Sequence, residues 1–275
     1  MLSYQHAYHA GGPADVHKHV AFALLLAHLG KKEKPFTVID LYAGEGDYDL
    51  THYAAQKTGE YLSGIAPVWD AKGAPASLQP YLQAVRRLNP DGALKRYPGS
   101  PSLARAALRT DDRLILNEMH KTAFPNLGRW ARKDTRISVH KRDGLEALVA
   151  LVPPMPRRGL VLVDPSYEVK SEYGDVPVKL AEAVHKWREG TLVVWYPMLK
   201  EARHRAMLDR IKEIDADIFC DELAFPGGQG LLGTGVVIVN PPWQFDEAMS
   251  EAGAWLARTL PRCKHTAAWL KRAES

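Results

Sequence analysis

Residues 160–168 read LVLVDPSYE: an apolar run, then Asp164, Pro165, Ser166 and Tyr167 in immediate succession. A carboxylate, a backbone carbonyl and an aromatic face are thereby held in one tight turn. That set suits an aromatic amine. An exocyclic amine conjugated into a ring is a poor nucleophile. Two acceptors on its two hydrogens help the nitrogen become tetrahedral, stabilising the transition state more than the ground state. The Asp164 carboxylate is one such acceptor and the Pro165 carbonyl the second. Tyr167 offers a surface for a base taken out of its stack.

Three further strand-like runs end in acids. FTVIDLYAGEG (36–46) carries Asp40, then Tyr42, Gly44 and Gly46; DRLILNEMH (112–120) carries Glu118; RISVHKRDG (136–144) carries Asp143 and Gly144. In an open α/β sheet ligands bind beyond the carboxyl ends of the strands. Alone, each acid reads as readily as a helix cap, and Asp143 most of all. Together they describe the needs of an adenosine ligand: glycines for close backbone approach, an acid for ribose hydroxyls, an acid for an adenine amino group. A dinucleotide fits less well, because Gly44-Glu45-Gly46-Asp47-Tyr48-Asp49 lacks the third glycine of the fingerprint. Its acids would also repel a pyrophosphate, but they suit the sulfonium and ammonium of S-adenosylmethionine.

The elements that must position these groups alternate along the chain. TLVVWYPM (191–198) adds a fifth strand-like run, and helical patterns lie at 100–109, 144–152, 178–188 and 201–214. This alternation predicts parallel strands with crossover helices. Residues 216–225 and 233–243 read as two late strands joined by a glycine-rich turn, an antiparallel hairpin. Asn240-Pro241-Pro242-Trp243 resembles an active-site turn but follows that antiparallel strand, so it should lie at the opposite edge of the sheet. Residues 12–32 read as a helix ahead of the first strand, with Asp15 near its start as a cap and Val16, Val20, Leu24 and Leu25 as an apolar face. The stretch 47–97 breaks the alternation and reads as a helical insertion, leaving residues 1–275 a single domain. The expected fold is a Rossmann-like class I S-adenosylmethionine-dependent methyltransferase with an inserted helical subdomain.

Bulk properties set bounds. The chain has 275 residues, 25% charged, with a formal net charge of +4. That permits a polyanionic partner without demanding one. The clusters Lys31/Lys32/Lys34, Arg86/Arg87, Lys95/Arg96 and Lys200/Arg203/Arg205 read individually as solvated faces. Two cysteines cannot form a disulfide framework or a four-thiolate zinc site, so a reducing, cytoplasmic location is expected. The start shows no basic segment followed by an apolar one, so no signal peptide is expected. His6, His9, His17 and His19 cluster, but without an H-E-x-x-H pattern they are read as solvated or core histidines and no metal is expected.

The opening from Tyr4 to His19, Y-x-H-x-x-H-A-G-x-x-A-D-V-x-K-H, is followed by the loop at Ala43–Tyr48, TGEYLSGI at 58–65, YPGSP at 97–101, DPSYE and VIVNPPW. In this order the motifs resemble the RlmJ family of bacterial 23S ribosomal RNA adenine-N6 methyltransferases along essentially the whole chain. The resemblance implies a monomer using S-adenosylmethionine. It implies cofactor contacts at His19, Tyr42, Gly44, Ser100, Glu118, Asp143, Gly144 and Asp164. It further implies catalysis at Asp164, target placement by Tyr4, and support from His6 and Lys18. The family turn is D-P-P-Y; Ser166 departs from it, keeping both acceptors and the aromatic face while losing some rigidity. Two other readings stay open: a DNA adenine-N6 methyltransferase, disfavoured by the lack of a large target-recognition domain, and a non-catalytic RNA-binding protein on the same scaffold, disfavoured by the presence of Asp164.

Overall fold

The structure is a computed structural model that describes residues 5–227 and 230–272. Its strands are β1 (Thr37–Asp40), β2 (Asp47–Asp49), β3 (Arg96–Pro98), β4 (Arg113–Asn117), β5 (Ile137–His140), β6 (Gly159–Val163), β7 (Thr191–Leu199), β8 (Ile218–Ala224), β9 (Leu231–Val239) and β10 (Lys264–Lys271). The helices are α1 (Pro13–Gly30), α2 (Tyr53–Thr58), α3 (Ile65–Asp70), α4 (Gln79–Leu88), α5 (Ser100–Ala107), α6 (Ala123–Ala131), α7 (Gly144–Leu151), α8 (Glu172–Lys186), α9 (Arg203–Ile211) and α10 (Phe245–Thr259).

The main sheet runs β10-β8-β9-β7-β6-β1-β4-β5. The pairs β6–β7, β1–β6, β1–β4 and β4–β5 are parallel, whereas β7–β9, β8–β9 and β8–β10 are antiparallel. This is the Rossmann-like class I arrangement, and both faces of the sheet are covered. Period-2 alternation sends Val38, Leu160, Leu162 and Val193 into one core with α1, α4, α5 and α10. The intervening Ile39, Val161, Val163, Leu192 and Val194 enter a second core with α7, α8 and α9. Between β1 and β4 the chain forms α2, α3, α4 and α5, two short 3-10 turns (Glu60–Leu62 and Ala76–Leu78), and a small antiparallel ribbon of β2 with β3.

Several elements depart from the sequence reading. The helices α6 and α10 and the strand β10 were not expected; α6 contains Pro125 and Gly128, and α10 contains Gly253, which mask a helical pattern. The strand β9 is therefore not the last, since β10 pairs with β8 beyond it. Helix α8 starts six residues earlier than expected and runs through Pro177. Asn240 does lie beyond the end of β9 away from Asp164: its side-chain amide donates to the carbonyls of Arg188 and Gly190, just before β7 begins.

Helix α1 is more than an amphipathic cover. It packs against α4, α5, α10 and β9, and buries Asp15, His17, Lys18 and His19 along with its apolar residues. Each buried polar group therefore needs a partner. His17 and His265 both bond to the carboxylate of Asp221, at 2.8 Å each, which fastens α1 and β10 to β8.

Candidate active site

A cavity of about 540 Å³ opens where β1, β4, β6 and β7 end and α1 and α5 begin. Asp164, Pro165, Ser166 and Tyr167 line it together with His6, Lys18, His19, Tyr42, Gly44, Ser100 and Glu118. The volume is that of a small-molecule site. Its acidic side chains, among them Glu45, Glu118, Asp164 and Glu172, outnumber its cations, and Lys18 is the lysine or arginine that lines it.

At its deep end Lys18 Nζ lies 2.6 Å from Asp164 Oδ2 and 3.0 Å from Asp15 Oδ1. Asp15 Oδ2 also accepts from His6 Nε2 at 2.9 Å and from the Gly11 amide at 3.1 Å. Burial by itself would discharge such groups, but the pairing prevents it. The Lys18 ammonium is raised well above its ordinary range: burial works against it, and the two carboxylates outweigh burial. Burial also opposes ionisation of Asp15, but the His6 and Lys18 charges hold it well below the usual carboxylate range. Asp164 goes the other way: burial raises it, and Lys18 only partly offsets the rise.

The turn after β6 bends sharply. Tyr167 takes φ of 54°, a left-handed conformation that bulky residues rarely adopt. It is buried, not a surface residue: its hydroxyl donates to the Trp195 carbonyl at 2.9 Å, and its ring packs 4.5 Å from that of Tyr173. Trp195 from β7 closes the wall, with its ring centroid 5.6 Å from Lys18 Nζ.

At the other end Gly44 has φ of 63°, and a Cβ there would sit 2.3 Å from the Tyr48 hydroxyl, so the loop requires glycine. Glu118 fixes the same loop by accepting from the Gly44 amide at 2.8 Å and from the His120 amide at 2.6 Å. Burial raises its carboxyl. Asn117 bridges three strand ends: it donates to the Leu41 and Arg142 carbonyls and accepts from the Arg142 amide. Asp40 lies fully buried behind Tyr42; burial pushes it up to about 7, a hydrogen bond from Ser100 opposes the rise, and its Oδ2 has no partner. His19 shares a hydrogen bond with the Tyr97 hydroxyl at 2.9 Å, and burial lowers it well below the ordinary histidine range.

Of the residues singled out in the sequence, Asp143 and Gly144 do not line the cavity. Asp143 is an exposed N-cap whose Oδ1 accepts from the Leu145 and Glu146 amides, and Gly144 packs its backbone on the Tyr42 ring. Tyr4 lies outside the described residues. The clustered histidines diverge: His6 meets Asp15, His9 meets Glu60, His17 meets Asp221 and His19 meets Tyr97. Asp15, expected only as a cap, is the hub joining His6 to Lys18. Asp40 was legible as a strand-end acid, whereas nothing local in the sequence marks Asn117 or Trp195, which lies mid-strand in β7. Lys95 and Arg96 pair with Asp91 and Asp47.

Comparison with known proteins agrees with this geometry. The family model "Ribosomal RNA large subunit methyltransferase D, RlmJ" matches residues 33–271. Ribosomal RNA large subunit methyltransferase J of Escherichia coli (strain K12) is 38% identical over 268 residues, covering 94% of both chains. The protein of that name from Haemophilus influenzae is 36% identical over 265 residues, again covering 94% of each. A solved protein of Legionella pneumophila str. Philadelphia 1 superposes with a TM-score of 0.89 at 34% identity, over 95% of this chain and 98% of that one. The chain belongs to the RlmJ family of ribosomal RNA large subunit methyltransferases.

Proposed function

We propose that the protein transfers a methyl group from S-adenosylmethionine to the exocyclic N6 of an adenine in 23S ribosomal RNA, acting as a monomer. The observation that carries this reading is Asp164: a buried carboxylate in a D-P-S-Y turn at the end of β6, ion-paired to Lys18 and facing a cavity walled by aromatic rings.

The residues fit the methyl donor. The Gly44 cradle admits close backbone approach, Glu118 has lone pairs left for ribose hydroxyls, and the carboxylate-rich lining favours a cation over a phosphate. His19, Tyr42, Gly44, Ser100 and Glu118 would hold it, with Asp143 contributing at most from the rim through Oδ2. S-adenosylmethionine supplies an electrophilic methyl group when bound. Asp164 and the Pro165 carbonyl accept the two N6 hydrogens of the adenine, so that positive charge growing on the nitrogen meets acceptors already in place. Lys18 fixes the Asp164 carboxylate, and Asp15 with His6 fixes Lys18. Because burial raises Asp164, its carboxylate is a better acceptor than an ordinary one for the proton that N6 must release. Tyr167 and Trp195 offer aromatic walls for the unstacked base.

The test is transfer of labelled methyl to protein-free 23S rRNA lacking its native modifications, with nucleoside analysis and an Asp164→Ala control. N6-methyladenosine from the wild type alone is expected. Transfer to duplex DNA in preference to rRNA, or undiminished transfer by the Asp164→Ala protein, overturns the reading.

A further inference from the structure

Two tyrosines adjoin the rim of the cavity: Tyr53, exposed, on the segment between β1 and β4, and Tyr8, half-buried, ahead of α1. Helix α2 begins with Tyr53, whose side chain is 66% exposed. Lys57, one turn on, places its ammonium 5.9 Å from the Tyr53 ring centroid and 5.7 Å from that of Tyr8. Tyr8 ends the 3-10 turn His6–Tyr8, in which His6 and Ala7 line the cavity. The two segments are stitched together: the Thr58 hydroxyl donates to the Tyr8 carbonyl, and His9 meets Glu60 at 2.8 Å, where both line the mouth. Two tyrosine rings flanking one ammonium therefore adjoin the entrance through which a base must pass.

Tyr53 leaves most of its ring open to solvent, and Tyr8 leaves part of its own. Nucleic acid supplies the matching chemistry. An adenine drawn into a pocket leaves its neighbour without a stacking partner, and exposed aromatic rings replace that partner in single-stranded recognition. An ammonium held beside the rings meets the phosphate that links the two nucleotides. We propose that Tyr53 and Tyr8 form a stacking platform for the nucleotide flanking the target adenine, with Lys57 contacting its phosphate. This rests on the functional reading above and assigns part of the substrate surface to α2.

The experiment compares wild type, Tyr53→Ala, Tyr53→Phe and Lys57→Ala in methyl transfer to protein-free 23S rRNA. S-adenosylmethionine affinity and thermal melting are measured alongside. Losing one stacked base should lower kcat/KM for RNA by roughly 5- to 150-fold in Tyr53→Ala. Tyr53→Phe, which keeps the ring, should stay near wild type, and cofactor affinity should not move. Lys57→Ala should reduce the slope of log affinity against log salt by about 1. A wild type that methylates the rRNA while Tyr53→Ala matches it in kcat/KM overturns the platform alone. A wild type that binds cofactor yet leaves the rRNA unmodified overturns the functional reading, and the platform with it.

Discussion

Replacing Lys18 by methionine keeps most of the side chain's length and removes its charge from between two buried carboxylates. Asp15 and Asp164 are 5% and 12% exposed, and the ammonium is 4% exposed. Removing one partner of a buried pair costs about 3–5 kcal/mol, since the other charge stays desolvated. In a chain of this size that corresponds to a fall in melting temperature of roughly 6–20 °C near pH 8. The pH dependence carries the diagnosis. Lys18 is the foremost group lowering Asp164, so the variant's Asp164 rises further above its unfolded value. A raised carboxyl contributes stability that is complete below the unfolded pKa and is lost as pH rises through the folded one. The variant's deficit should therefore shrink as pH falls from 8 to 4. It should not vanish, because His6 still faces Asp15 and favours its carboxylate, leaving that charge buried with one partner fewer. The acidic limb of kcat should likewise move to higher pH. Melting curves of both proteins at pH 4, 6 and 8 decide the matter. A deficit that is the same at all three, or below about 1 kcal/mol, would refute the claim that Lys18 acts through its charge on Asp164.

Two further outcomes follow from the same site. Asp40, pushed up to about 7 by burial, should cost the wild type roughly 4 kcal/mol of stability as pH rises from below 4 to well above 7; Asp40→Asn should remove that loss, so its denaturation midpoint relative to wild type should be higher at pH 9 than at pH 5, and an unchanged difference would contradict the assignment. Ser166→Pro removes only a 3.4 Å contact from the Glu168 amide to Ser166 Oγ and stiffens the turn, so it should gain about 0.4–1 kcal/mol with kcat unchanged within about twofold; a destabilised or inactive variant would show that the serine does something the proline cannot.

By itself the sequence determined the local chemistry of this protein. Strands that end in Asp40, Glu118 and Asp164 are legible because short apolar runs with period-2 or fully buried patterning stop at polar residues, and a ligand site follows from where parallel strands end. The turn at Asp164 carries its acceptors within four consecutive residues, so no folding was needed to see them. Tertiary structure decided everything that depends on distant segments meeting. Lys18 and Asp164 are 146 positions apart, and nothing in either neighbourhood announces their 2.6 Å contact. The burial of α1 on all sides, which turns Asp15 from a cap into a hub, results from α4, α5, α10 and β9 closing around it. Asp143 shows the reverse case: its sequence position matched a ligand site, but the backbone at the start of α7 aims Oδ1 at its own helix. Edge strand β10 and helices α6 and α10 were hidden because exposure, proline and glycine erase the periodicity that reveals an element. Their places are fixed instead by what they cover, as His265 on β10 and His17 on α1 are fixed by sharing Asp221.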